Sequence, residues 1–358
     1  MPHPLKICYF GLERPRWARD LVYLKGLKNQ GFEVIECVDS SKNVLKYWRL
    51  LKKHWRVRHD YDLMLVGYLS NLMAPLAKLV ATKKVVYNAL CSKYESIILD
   101  RQEHRPVSLY ALYVWLIDFI AFKMADLILV ESQAQKKFLI KMFLAKPAKF
   151  KVIFTGADDA IFHPDLAIAK YSDFTVVFRG WFLPATGVEY VIEAAKILEP
   201  AGIKFILIGR GAFTPKIKEK IAALGVGNIE LITEFLSDEA LREKMLAAHV
   251  CLGQFSEHIR LERTIQNKTF ESLALRLPYV TRDSISNREI LQDNFNCLFV
   301  RPADPADLAD KIMILKNDPG LGERLAEAGY QTYLTKLSPQ VLGEQLNAMF
   351  KNHFKIDF

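Results

Sequence analysis

Short apolar runs alternate along this chain with longer stretches whose apolar residues recur every three or four positions. The runs "KICYFG", "FEVIECV", "YDLMLVG", "KVVYNAL", "DLILVES" and "KFKVIFTG" predict strands. Between them, "RWARDLVYLKGLKNQG" (closed by Gly31), "KNVLKYWRLLKKHWRVR", "NLMAPLAKLVATK", Leu109 to Met124 and a stretch through Lys141 predict helices. Strand, helix, strand in this rhythm predicts an α/β protein with a parallel, doubly wound sheet.

The rhythm restarts after "DDAIFHPDLAIAKYSD", a loop-like passage around Pro164. "FTVVFRGWF", "IKFILIGRG", "IELITEF" and "VCLGQF" predict a second set of strands, with helices such as "GVEYVIEAAKILEPAG" and "TPKIKEKIAALGVG" between them. Ser237 opens "SDEALREKMLAAH" as an N-cap, with acids in the first turn. Two Rossmann-like doubly wound domains facing a cleft follow: residues 1–168, then 169–335, with a helix over 336–358 expected to return toward the first domain. A chain of 358 residues fits two cores better than one. In open parallel sheets ligands sit beyond the carboxyl ends of the strands.

The charge is unevenly placed. Residues 1–165 hold 26 Lys and Arg against 16 Asp and Glu, a net of +10; residues 166–358 hold 23 against 24, a net of −1. The first half is thereby expected to face something anionic. Seven of its cations fall between Lys42 and Arg58 with no acid among them. There Val44, Trp48, Leu51 and Trp55 form one apolar face, and tryptophans beside lysines suit an anionic membrane surface. A packed helix with a solvated basic side is the alternative. No nucleic-acid motif accompanies the basic residues, so nucleic acid is not expected as a partner.

The most membrane-like window, Leu109 to Val130, is interrupted by Asp118, Lys123 and Asp126, which favours a buried helix and strand over a span. The amino terminus runs from "MPHPLK" straight into a strand, with no secretory pattern. The five cysteines are scattered and make no C-x-x-C pair, which predicts reduced thiols. A cytoplasmic protein, peripheral on the inner membrane face, is the expectation.

The stretch "TIQNKTFESLALRLPYVT" sets Asn267, Lys268 and Glu271 at one helix start, ahead of a strand at Tyr279. With "FRGWFLPATGVEYVIEAAKIL", "ILIGRG" and "NREILQDNFNCLFVRPADPADLADKI", in that order, it resembles the C-terminal half of retaining family-4 glycosyltransferases of the GT-B fold. "VIFTGADDAIFHP" resembles that family's segment before its second domain, and "NALCSKYESIILDR" is similar to a loop of a bacterial branch. The resemblance implies transfer of a sugar from a nucleotide-diphosphate sugar, with retention. It implies that Glu271 bonds the ribose hydroxyls, and that the turn and helix start at Asn267 and Lys268 hold the diphosphate. Free helix N–H groups and the dipole favour phosphate there. The alternative is that Asn267 merely caps the helix. A ribose-gripping Glu271 would face the cleft and be replaceable with little loss of stability.

The chain departs from the family at telling places. A first carboxylate, expected with seven residues between it and Glu271, is replaced by Arg263, with Glu262 one position off. The usual phosphate-binding Arg and Lys are replaced by Trp181 and Thr186, within "GWFLPATG". Arg179, Arg263 and Lys268 are the expected replacements. Gly180, Thr186, Gly209 and Gly211 complete the expected donor side. On the acceptor side, Gly11 lets the backbone approach a ligand closely, and Arg14, Arg16 and Arg19 around the next helix start read as an anion-facing loop or as a solvated basic face; Tyr94, Asp100 and Arg101 belong to the "NALCSKYESIILDR" loop. That loop has no histidine where the family has one, so the catalytic group is unassigned.

No metal site is expected. "DYD" (Asp60 to Asp62) precedes its strand and reads as a strand-edge turn, and no spacing of His, Cys, Asp or Glu suits a tight site. The expected function is a metal-independent, retaining glycosyltransferase with no cofactor beyond its donor. Its acceptor would be a glycan or lipid-linked precursor of polysaccharide biosynthesis. The rivals are a catalytically degenerate nucleotide or sugar binder and a nucleotide-sugar epimerase of the same fold.

Overall fold

The computed structural model describes residues 4–12, 15, 18–68, 70–101 and 103–355. They form two compact units, one of residues 1–156 with 339–358, the other of residues 157–338.

The first unit alternates β1 (Lys6–Gly11), α1 (Ala18–Asn29), β2 (Glu33–Val38), α2 (Leu45–Val57), β3 (Leu63–Val66), α3 (Met73–Val80), β4 (Lys84–Leu90), α4 (Leu109–Met124), β5 (Leu127–Val130), α5 (Gln133–Phe143) and β6 (Phe150–Val152). All pairings are parallel, in the order β2-β1-β3-β4-β5-β6. The central strands are apolar throughout because both faces are covered. Every residue of β3 and β5 is buried. On one face Cys8 and Phe10 pack with Leu50, Met73, Ala77, Phe122 and Phe143, so α2, α3, α4 and α5 lie together there.

The second unit contains β7 (Thr175–Arg179), α6 (Val188–Leu198), β8 (Lys204–Ile208), α7 (Thr214–Leu224), β9 (Ile229–Ile232), α8 (Asp238–Ala247), β10 (Val250–Leu252), α9 (Asn267–Ala274), β11 (Tyr279–Arg282), β12 (Leu298–Val300), α10 (Pro305–Asn317) and α11 (Pro319–Lys336). Its parallel order is β12-β11-β10-β7-β8-β9. The connections therefore run outward in opposite directions from β7 and β10, which makes that pair the topological switch point.

The last helix, α12 (Pro339–Phe354), packs on α1 within the first unit. Gly26 and Gly343 allow the crossing: a Cβ on either would overlap the other helix's backbone.

The sequence places the break at 168/169, whereas the structure places it at 156/157. Residues 157–168 fold onto the second unit through side chains no periodicity reveals. Arg242 donates to Asp165 at 3.0 Å and contacts His163, and the Tyr333 hydroxyl donates to the Ala157 carbonyl at 3.0 Å. All five cysteines are buried, and none is in a disulfide. Among the described residues no helix is long and apolar enough to cross a membrane.

Candidate functional site

At the carboxyl edge of the second sheet, three charged side chains converge on the switch point. Arg179 is the last residue of β7, and its Nη2 donates to Glu271 Oε1 of α9. Lys268, one turn earlier on α9, lays its ammonium over the Phe178 ring, 3.7 Å from its centre, and reaches 3.5 Å from the Gly253 carbonyl beyond β10. Glu271 and Lys268 are both buried. Burial, then the neighbouring Arg179, hold the Lys268 ammonium well below the usual lysine range. Burial also draws Arg179 down to about 10. Charging both Arg179 and Lys268 beside one carboxylate would leave a surplus positive charge, which a bound anion would favour.

Glu271 Oε2 and Arg179 Nε are buried without a hydrogen-bond partner in the structure. One acceptor and one donor thus remain unused at the switch point, where a bound ligand could satisfy both.

Gly180 follows Arg179 with φ +148°, and a Cβ there would stand 3.0 Å from Lys268 Nζ. Gly209 and Gly211 answer to a second close approach: a Cβ on either would run into the backbone of residues 180–182. Gly180 N–H donates to the Ile208 carbonyl and Phe182 N–H to that of Arg210, at 2.9 and 3.0 Å. The glycines of "GRG" therefore let the loops after β7 and β8 cross in contact.

Helix α9 begins at Asn267. Gln266, extended at φ −83° and ψ 146°, is the N-cap and supplies no side-chain cap bond. Asn267 is the first helical residue and is exposed. The capping role considered for Asn267 is therefore not the one it plays. The helix start keeps N–H groups uncapped by any side chain, beside Lys268.

Three other expected residues stand apart from this cluster in role. Thr186 is buried and its hydroxyl donates to the Leu183 carbonyl at 2.6 Å, within its own turn. Arg263 ends the short turn Ile259–Glu262, its N–H donating to Arg260 at 2.9 Å. Glu262, one position off the expected carboxylate, is engaged by other partners. Arg282 bonds its Oε1, and the Ile285 N–H donates to its Oε2 at 3.0 Å. Arg282, missed by sequence reasoning, is buried and also donates to the Ser256 carbonyl at 2.6 Å. It ties the loop after β10 to the loop after β11.

In the first unit, Gly11 ends β1, and Arg14 and Arg16 lie outside the described residues. Tyr94 opens a π-helical turn, Glu95–Asp100, which Arg101 closes by donating its N–H to the Ser96 carbonyl at 3.2 Å. Gly11 and this turn leave the carboxyl edge of the same sheet. Such turns recur at functional sites. Asp118 of α4 pins this one: it accepts from the Tyr94 N–H at 2.7 Å and from Asn71 Nδ2 at 2.5 Å. Burial pushes its carboxyl up to about 7 against those bonds.

A second buried network escaped the sequence. Asp20 accepts from the Tyr9 hydroxyl, the Tyr68 N–H and Asn88 Nδ2, while Arg19 donates to Asn88, to the Ile153 carbonyl and to Thr155. Arg19, expected to face an anion or solvent beside Arg14 and Arg16, is instead buried in this network, where it donates to Asn88, Ile153 and Thr155.

The basic helix turns its apolar stripe outward. In α2, Leu50 and His54 are buried, whereas Trp48 and Trp55 are 64% and 67% exposed. Lys52 lies over the Trp48 ring and Arg58 over that of Trp55, at 5.7 and 3.6 Å. Asp62 brackets the start of β1 through the Lys6 N–H at 2.9 Å. Among the described residues no three His, Cys, Asp or Glu side chains are grouped to hold a metal.

Residues 173–318, which include Arg179, Lys268 and Glu271, match the family model Glycosyl transferases group 1. The chain is 28% identical over 178 residues to alpha-D-kanosaminyltransferase of Streptomyces kanamyceticus, covering 49% of this chain and 45% of that protein. It is 23% identical over 256 residues to the capsular polysaccharide biosynthesis glycosyltransferase CapM of Staphylococcus aureus, covering 68% and 66%. The matches thus span under half of the first relative and just under two thirds of the second. In structure the chain is similar to Anabaena HepE in complex with UDP-glucose, with TM-score 0.75, 17% identity and coverage of 97% of this chain and 100% of that one. It is also similar to sucrose-phosphate synthase from Thermosynechococcus elongatus, with TM-score 0.74, 15% identity and coverage of 98% and 99%. At such identities the likeness is one of fold, and that fold is GT-B: two parallel six-stranded sheets with helices.

Proposed function

We propose that the protein is a retaining, metal-independent glycosyltransferase that moves a sugar from a nucleotide-diphosphate sugar to a glycan or lipid-linked acceptor. The observation that carries this reading is the meeting of Arg179, Lys268 and Glu271 at the switch point of the second sheet, with a carboxylate oxygen to spare. Glu271 Oε2 would accept from ribose hydroxyls. Lys268, Arg179 and the start of α9 would face the diphosphate. As the bond from the anomeric carbon to the diphosphate breaks, its electron pair stays on the phosphate. Fixed positive charge in a dry site stabilises that developing anion without a metal. A UDP-glucose complex of a similarly folded protein, and a capsular polysaccharide transferase among the relatives, support donor and acceptor classes of this kind.

The same proposal places the first unit against an anionic membrane through residues 42–58. Exposed Trp48 and Trp55 interleaved with Lys46, Lys52 and Lys53 support it. A cytoplasmic protein, peripheral on the inner face, is the corresponding localisation.

The test is transfer or slow hydrolysis of radiolabelled nucleotide-sugars by the purified chain, with and without EDTA, and NMR of the product's anomeric configuration. Inversion would refute retention, and activity lost to EDTA and restored by Mg²⁺ would refute metal independence. A second reading, a nucleotide binder without turnover, draws on the Glu262–Arg282 pair, which removes a carboxylate from service. Tight donor binding with no product from any acceptor or water would favour it.

A further inference from the structure

Three side chains on neighbouring loops of the second unit's carboxyl edge have no part in the site described above. Trp181 stands two residues beyond β7, Arg210 two beyond β8, and Phe235 three beyond β9, on three adjacent strands. Trp181 is 59% exposed and Phe235 80% exposed. The Arg210 guanidinium lies beside both rings, 5.9 Å from the indole centre and 5.8 Å from the phenyl centre.

Exposed aromatic rings cost solubility and add little to folding, so a pair of them on a binding edge needs a reason. Their loops are fixed. Phe182 N–H donates to the Arg210 carbonyl, Gly209 N–H to that of Ile232, and the glycines on either side of Arg210 admit the crossing. The rings are thus presented on a laced scaffold, with a planar cation resting on their faces. A planar heterocycle prefers the same faces, and stacking on an aromatic ring is available to any base. Selection among bases then falls to Arg210. A guanidinium only donates, so it favours a base edge carrying carbonyl oxygens over one carrying an amino group.

We propose that Trp181, Arg210 and Phe235 form an aromatic clip for the nucleobase of the donor, selecting a keto-bearing base, uracil or guanine, over adenine. This rests on the nucleotide-sugar reading of the neighbouring Arg179–Lys268–Glu271 cluster. The clip lies on the β8–β9 side of that cluster, on the same edge. Trp181 then has a purpose of its own in a loop otherwise explained by backbone packing.

The experiment is calorimetric titration of the full chain with uridine, guanosine, adenosine and UDP, beside Trp181→Ala, Trp181→Phe, Phe235→Ala, Arg210→Ala and Glu271→Ala. The exposed variants should melt with the wild type. Uridine or guanosine should bind more tightly than adenosine. Removing either ring should weaken the preferred nucleoside by roughly five- to hundredfold, and Trp181→Phe should restore much of it. Arg210→Ala should narrow the preference over adenosine. If Trp181→Ala combined with Phe235→Ala leaves nucleoside affinity unchanged while Glu271→Ala weakens UDP, the clip is wrong and the nucleotide reading stands. Adenosine binding as tightly as uridine and guanosine would overturn the selection by Arg210. A wild-type chain that binds none of the four probes would overturn both.

Discussion

Arg179 and Glu271, ninety-two residues apart in sequence, form a partly buried ion pair at the edge of the second sheet, with Glu271 the buried member. This changes what Glu271 does for the fold. A cleft-facing glutamate could be replaced at little cost, but this one neutralises a desolvated arginine. Glu271→Ala should lower stability by about 1–3 kcal/mol, because Arg179 is left without its counterion. Glu271→Gln should lose less stability yet weaken nucleoside binding by about tenfold, since the charge-assisted bonds to ribose are gone. Melting curves beside titrations with nucleoside separate the two effects. Full nucleoside affinity in Glu271→Gln would remove the ribose role.

Lys268 gives a signature in protons. Its ammonium titrates well below the usual lysine range, because burial and Arg179 oppose the charge. A bound diphosphate would favour the charged form, so binding takes up a proton between the lowered value and the ordinary one. Nucleoside-diphosphate affinity should therefore fall as pH rises through that window. Calorimetry in buffers of different ionisation heat should show uptake in the wild type and none in Lys268→Met. Lys268→Ala should weaken diphosphate binding and spare the bare nucleoside. An equal loss for both ligands would argue against a phosphate contact.

Gly180 is the space that Lys268 occupies. Gly180→Ala puts a methyl 3.0 Å from Nζ at φ +148°, a backbone angle side chains avoid. The variant should lose about 1–2 kcal/mol and bind diphosphate more weakly. Gly202→Ala has φ +69° but no neighbour within 4 Å, so it should cost stability and leave binding alone.

The alternation of strands and helices was legible because both faces of each sheet are covered. Runs such as "LMLV" and "LILV" then have to be apolar throughout. The pairing of Arg179 with Glu271 was not legible, since a strand end and a helix turn meet only through the sheet order. Glu262 and Arg282 show the same limit: their spacing says nothing until β10 and β11 lie side by side. In α2 the periodicity marked an apolar stripe but not its direction. Leu50 and His54 face the core, and the tryptophans face out.

Asp118 should leave a trace in the pH dependence of stability. Its carboxyl is raised to about 7 in the folded chain, chiefly by burial, while the Tyr94 N–H and Asn71 hold it down. The folded state therefore binds more protons than the unfolded one above the ordinary Asp value. The group's contribution is complete below that value and is lost as pH rises through about 7. Asp118→Asn should flatten the melting profile over that range, by on the order of 1–4 kcal/mol. A variant with the wild-type slope would place the titration elsewhere.

If the outward stripe of α2 docks on a membrane, two separable forces should hold it there. Anionic vesicles should bind the chain, and affinity should fall with salt because the cations on the helix are screened within a Debye length. Replacing Lys46, Arg49, Lys52 and Lys53 by Gln should remove the salt-sensitive part, at about 1 kcal/mol for each cation near the surface. Arg49 also bonds Asp39 at 2.9 Å, so its replacement should lower stability slightly, and a triple variant keeping Arg49 is the control. Trp48→Ser and Trp55→Ser should instead weaken binding at high salt, where only the apolar face holds the bilayer. Neither tryptophan is buried, so melting should not change. Vesicle sedimentation at low and high salt reads both forces. Equal binding to neutral and anionic vesicles would refute the electrostatic part. Full binding by the double Trp variant at high salt would refute insertion of the helix face.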